Sequence, residues 1–119
     1  MFDDDFQKAR EHILPADLIV FVTPLCWFGI AGRLKNVIDM FYALDKKLHA
    51  PKFAILLSTR LNTAEEPNIP LAMTYQAMLY YLGWSNRGVI QAGGLEDAGA
   101  IINTGFPERA HELGKSIRD

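Results

Sequence analysis

The chain has 119 residues, half of them apolar and 22% charged, with a formal net charge of −2 and one cysteine. This composition excludes a disordered tail, a disulfide scaffold and a basic nucleic-acid surface, leaving one domain over residues 1–119 in a reducing cytoplasm as the expectation. No apolar run reaches the ~18 residues of a membrane helix, and the acidic start "MFDDDFQKAREH" is unlike a secretory leader.

Phe2, Phe6, Ala9 and Ile13 recur at helical spacing and predict a helix opened by Asp3, Asp4 and Asp5 and ended by Pro15. Leu18 to Val22 is a continuous β-branched and aromatic run, the pattern of a parallel strand covered on both faces. After an aromatic loop, Leu34, Val37, Ile38, Phe41 and Leu44 predict a second helix, with Lys35 and Asp39 spaced to pair across one turn. Pro51 closes that unit. "KFAILLS" (52–58) predicts a second buried strand, and "TRLNTAEEPNIP" (59–70) a polar loop. Tyr75, Met78, Leu79 and Leu82 then line one face of a helix, with Gly83 as its C-cap. "RGVIQAG" (87–93) reads as a short third strand, and "GLEDAGAIINTG" as a loop with room for a helical turn. Pro107 opens a last helix that turns Ala110, Leu113, Gly114 and Ile117 inward. The order α-β-α-β-α-β-α with buried strands implies a parallel sheet with helices on both faces.

"ADLIVFVTPLCWFGIAGRLKNVID" (16–39) resembles the central segment of the flavodoxin-like NAD(P)H-dependent FMN reductases, in their multimeric-flavodoxin and iron–sulfur flavoprotein branch. The resemblance rests on Ala16, Asp17, Thr23, Pro24, Trp27, Leu34, Lys35, Ile38 and Asp39, and "DDDF" and "ERAHELGKSI" extend it towards both ends. It implies a three-layer flavodoxin-like α/β fold truncated to about three strands, the family's third, fourth and fifth, with helices on both faces. In the family, a Gly/Ser/Thr-rich loop after the first strand grips the FMN phosphate. These residues contain no counterpart of that loop, so the chain is expected to be a partial flavodoxin-like domain.

In the family the loop after the third strand wraps the flavin ring. The resemblance therefore implies that Thr23, Pro24, Leu25, Cys26, Trp27, Phe28 and Gly29 bind the cofactor, with Ser58, Thr59 and Arg60 at the ring's far edge. A flat, apolar, electron-accepting ring needs aromatic or backbone contacts alongside it. It further implies FMN as cofactor, NAD(P)H as co-substrate and no catalytic acid or base from the protein. The function expected is that of an FMN reductase-like oxidoreductase, as subunit or fragment, with FMN held weakly or not at all by this chain alone. The alternative is a non-catalytic dimeric interaction protein on the same fold, in which Trp27 and Phe28 pack against a helix or a second subunit.

The remaining candidates read as structural. His12, His49 and His111 lack ligand spacing, so no metal site is expected, and Cys26 has no histidine near it in sequence to make it a nucleophile. Arg33 and Arg60 read as solvated cations, and Met73, Tyr75 and Met78 as core or interface. With two family strands absent, "LIVFV" stands at a sheet edge, which predicts a homodimer or a partner chain supplying the missing strands.

Overall fold

A computed structural model describes residues 2–25, 29–41, 45–60, 68–95 and 100–117. The three apolar runs form strands β1 (Leu18–Pro24), β2 (Phe53–Thr59) and β3 (Ser85–Ala92) of one parallel sheet, ordered β1-β2-β3. Around it lie α1 (Phe2–Ile13), α2 (Gly32–Asp39), α3 (Asp45–Leu48), α4 (Asn68–Leu82), a 3₁₀ turn (Ala100–Asn103) and α5 (Phe106–Ser116). This is the three-layer, flavodoxin-like α/β arrangement expected. The register sets Pro24 beside Thr59 and Thr59 beside Ala92, so all three carboxyl ends finish level.

Alternation along the strands sends Phe21, Ala54 and Leu56 to one face, where they meet Ile38, Phe41, Leu48, Leu71, Tyr75, Leu79 and Leu82. Trp84 completes this core. Its ring lies nearly parallel to Phe21 at 6.4 Å, and its Nε1 donates to the Leu48 carbonyl at 2.8 Å. Tyr75 meets Phe21 edge-on at 6.2 Å and donates its hydroxyl to Asn86 Oδ1 at 2.9 Å. Burial pushes the Tyr75 phenol up to about 12.

The opposite face is packed by α5. Ala54 pairs with Asn86 but Ile55 with Gly88, so Arg87 bulges from β3. Gly88 then lets α5 approach, since a methyl there would meet both Cδ atoms of Leu113 at 2.8 Å. Arg87 is held from two sides, over the Phe53 ring at 5.0 Å and donating to the Ser116 carbonyl at 3.2 Å.

Helix ends are closed by specific groups. Lys52 is buried, and its ammonium donates to the Leu14 and Ala16 carbonyls at 2.9 and 2.6 Å, at the negative end of α1. Gly83 has φ +75°, and the Trp84 amide donates to the Leu79 carbonyl at 3.0 Å. With the Gly83 amide on the Tyr80 carbonyl, these bonds form a Schellman closure, the cap expected. The Lys35–Asp39 pair also forms.

The structure departs from expectation in several places. β1 was expected to be covered on both faces; Phe21 and Thr23 are buried, but Val20 and Val22 are 45% and 67% exposed. The reason is position: α5 packs on the β3 side of that face and leaves the β1 side open. Gly114 is exposed, with Ala110, Leu113 and Ile117 half-buried. α4 starts at Asn68, so Pro70 sits in its first turn, where a missing amide proton breaks no helical bond. Of the predicted second helix, Leu34, Val37 and Ile38 lie in α2, which ends at Asp39 before Phe41; α3 begins only at Asp45, beyond the predicted stripe, and Leu44 lies outside the described residues.

Candidate functional site

The level strand ends bring together two groups of residues that the sequence separates. Thr23 stands beside Ser58 and Pro24 beside Thr59. Thr23 is 2% exposed, and its hydroxyl donates to the Pro24 carbonyl at 2.8 Å while accepting the Ala31 amide at 2.9 Å. The Leu25 amide donates to the Thr59 carbonyl at 2.9 Å. The loop after β1 is therefore clasped to β2 at its start and to Thr23 at its finish. With its proton committed to the loop itself, Thr23 shapes the loop.

Pro24 and Thr59 are exposed, Leu25 and Gly29 half-buried, and Ser58 buried. Cys26, Trp27 and Phe28 lie outside the described residues. Arg60 differs from its reading as a solvated cation: it is only 8% exposed. Its guanidinium lies against Gly93, where a Cβ would fall 2.5 Å from Cζ, and Nη1 donates to the Gln91 carbonyl at 3.2 Å. Its backbone accepts from the Leu95 amide and donates to the Ala92 carbonyl, at 3.1 and 2.8 Å. Arg60 thus fastens the end of β2 to the turn after β3. Gly93 permits this close approach, because it has no side chain to meet the guanidinium.

A cavity of about 310 Å³ opens at these strand ends, at the small end of the range for ligand pockets. Val22, Leu57, Ile90, Ala92, Ile101 and Phe106 are among its walls, with Thr23, Pro24, Ser58 and Thr59 also lining it. Among the described residues, none that lines it is charged. Val22 belongs both to this wall and to the open face of β1, so the cavity and that face form one continuous apolar surface. Among the described residues no three of His, Cys, Asp or Glu gather as metal ligands, and no helix is long and apolar enough to cross a membrane.

The family described as NADPH-dependent FMN reductase matches residues 1–79, which include β1, β2 and the loops after them. Over 99 residues the chain is 25% identical to YwqN of Bacillus subtilis (strain 168), provisionally named an NAD(P)H-dependent FMN-containing oxidoreductase. The aligned region is 76% of this chain and 55% of YwqN, so the chain spans about half the length of that relative. In three dimensions it is similar to the Trp repressor binding protein of Bacillus subtilis, with a TM-score of 0.78 and 19% identity. That superposition covers 98% of this chain and 72% of the other, and at such identity it establishes fold alone.

Proposed function

Because the chain belongs to the NADPH-dependent FMN reductase family, we propose that the paired ends of β1 and β2 face the ring of FMN in an NAD(P)H-dependent oxidoreductase. The observation that carries this reading is the convergence of Thr23–Pro24 with Ser58–Thr59, beside a loop clasped at both ends. Bound FMN would supply the redox chemistry, accepting reducing equivalents from NAD(P)H. The protein's own part is positioning. Thr23 holds the loop, Leu25, Cys26, Trp27, Phe28 and Gly29 lie along the ring, and Ser58 and Thr59 bound its far edge. Within the family, the segment "ADLIVFVTPLCWFGIAGRLKNVID" supports the multimeric-flavodoxin and iron–sulfur flavoprotein branch.

The residues fit the ring and not the anionic tail. Among the described residues the surface at the strand ends is largely apolar, and no lysine or arginine lines the cavity. A phosphate site lacking about three charge-assisted hydrogen bonds of ~1.5–3 kcal/mol each forgoes roughly three to six decades of affinity. This chain alone therefore holds FMN weakly. The open face of β1, continuous with the cavity, is where a further strand-bearing segment or partner chain would seat and bring the phosphate donors.

Titration with FMN and with riboflavin, which lacks the phosphate, tests the reading. Weak, saturable and nearly equal binding of the two is expected, because only the ring is recognised. Tight FMN binding that riboflavin does not match would overturn it. A second reading, a non-catalytic interaction protein, is favoured by the exposure of Val20 and Val22. Binding of neither flavin by a folded chain would support that one.

A further inference from the structure

We propose that the outer edge of β3 accepts an extended segment of another protein, with lysine or arginine at alternate positions. A groove of about 590 Å³ runs along this edge. Gly88, Val89 and Ile90 form one wall, and Glu108, Arg109 and Glu112 of α5 the other. Among the described residues β3 is the last strand of the sheet, so β2 pairs with one side of it only. The Ala92 carbonyl receives the Arg60 amide at 2.8 Å, and alternation then turns the Val89 amide and carbonyl outward. Neither meets a partner among the described residues. The Gln91 carbonyl, on the same side, is held by Arg60, which centres any pairing on Val89. A bulge often spoils a sheet edge for pairing. Here the bulge at Arg87 lies ahead of this stretch, and the ladder from Gly88 to Ala92 is regular.

α5 runs back along β3, since Leu113 meets Gly88 while Phe106 and Ala92 share the cavity at the strand ends. Glu108 and Glu112 therefore follow the groove, one turn and ~6 Å apart along the helix axis. Alternate residues of a strand share a face and lie ~6.7 Å apart. A segment hydrogen-bonded to Val89 thus presents two successive same-face side chains to the two carboxylates. Its backbone supplies affinity, and the carboxylates select basic side chains. Glu108 has no ion pair among the described residues, and the contact of Glu112 with Lys115 is long, at 3.9 Å, and exposed. Arg109 lies over the Phe106 ring, 5.3 Å from its centre. A second copy is a poor occupant, because β3 paired with β3 would bring two acidic rims together. The proposal depends neither on flavin binding nor on the open face of β1.

An acetylated, amidated peptide alternating threonine with lysine tests it, by titration calorimetry and by residue-resolved hydrogen exchange. Saturable binding at low salt is expected, weakening as salt rises, with exchange at the Val89 amide slowed most. Glu108→Lys with Glu112→Lys is expected to weaken binding about tenfold or more. The unfolding midpoint should stay unchanged, since both side chains are exposed. Methylating every backbone amide of the peptide keeps its charge and removes its donors, and this form is expected not to bind. A wild-type chain that binds no peptide overturns the proposal. So does binding that leaves Val89 exchange unaltered, survives the double lysine variant or is retained by the methylated peptide.

Discussion

Single side chains carry the geometry of the site, and Thr23 is the one most open to test. Replacing it with valine keeps the branched shape and removes the hydroxyl, stranding the Ala31 amide that now donates to it. A buried donor left without its acceptor costs ~1–3 kcal/mol. Thr23→Val is therefore expected to lower stability by that amount in urea titrations and to speed hydrogen exchange at Ala31 above its neighbours. Unaltered exchange there would show that the loop is held by something else. Thr23 was singled out because its motif was recognisable, whereas its role as a clasp was not legible. The burial of Lys52 and of Arg60 was not legible. Charged side chains are usually at the surface, and the acceptors that hold these two are backbone carbonyls of Leu14, Ala16 and Gln91. Every residue has a carbonyl, so no sequence pattern marks the few that receive a buried cation.

Among the elements, α4 was read most fully. Its inner face followed from the 3.6-residue spacing of Tyr75, Leu79 and Leu82, and its cap from Gly83. That cap makes a clean measurement possible. Gly83 has φ +75° and nothing within 4 Å of the position a Cβ would take, so a methyl there brings backbone strain and no clash. Gly83→Ala is expected to cost ~1–2 kcal/mol, the penalty for an L-residue in the left-handed region. Gly83→Asn, which tolerates that region, should lose less; equal unfolding midpoints for the alanine variant and wild type would refute the cap. The strands were legible in number, direction and order, and less so in detail. β3 begins at Ser85, ahead of the predicted Arg87, because polar Ser85 and Asn86 give no apolar signal and Arg87 bulges out of the alternation. The run from Leu18 to Val22 announced burial on both faces, and this chain covers only one of them.

For the molecule as a whole, the aromatic core ties stability to alkaline pH. The Tyr75 phenol is raised by burial from its ordinary 10.0 to about 12. An unfolded chain would release this proton near pH 10 while the folded chain keeps it. The contribution of protonated Tyr75 is thus complete below pH 10 and is lost as pH rises towards 12. Tyr75→Phe is expected to cost ~0.5–1.5 kcal/mol at pH 8, where one neutral hydrogen bond is removed. The Asn86 oxygen still receives the Gly88 amide at 3.0 Å, which limits that loss. At pH 11 the gap to wild type should narrow or reverse in urea titrations, and a gap independent of pH would contradict the assignment. The all-parallel register has a consequence for how the chain leaves the ribosome. Leu18 pairs with Phe53, 35 positions later (18 to 53), and no hairpin can serve in the interval. At synthesis rates of about 5–20 residues per second, β1 waits roughly 2–7 s for its first neighbour. For that time its sticky backbone is open to chaperones and to other nascent chains alike.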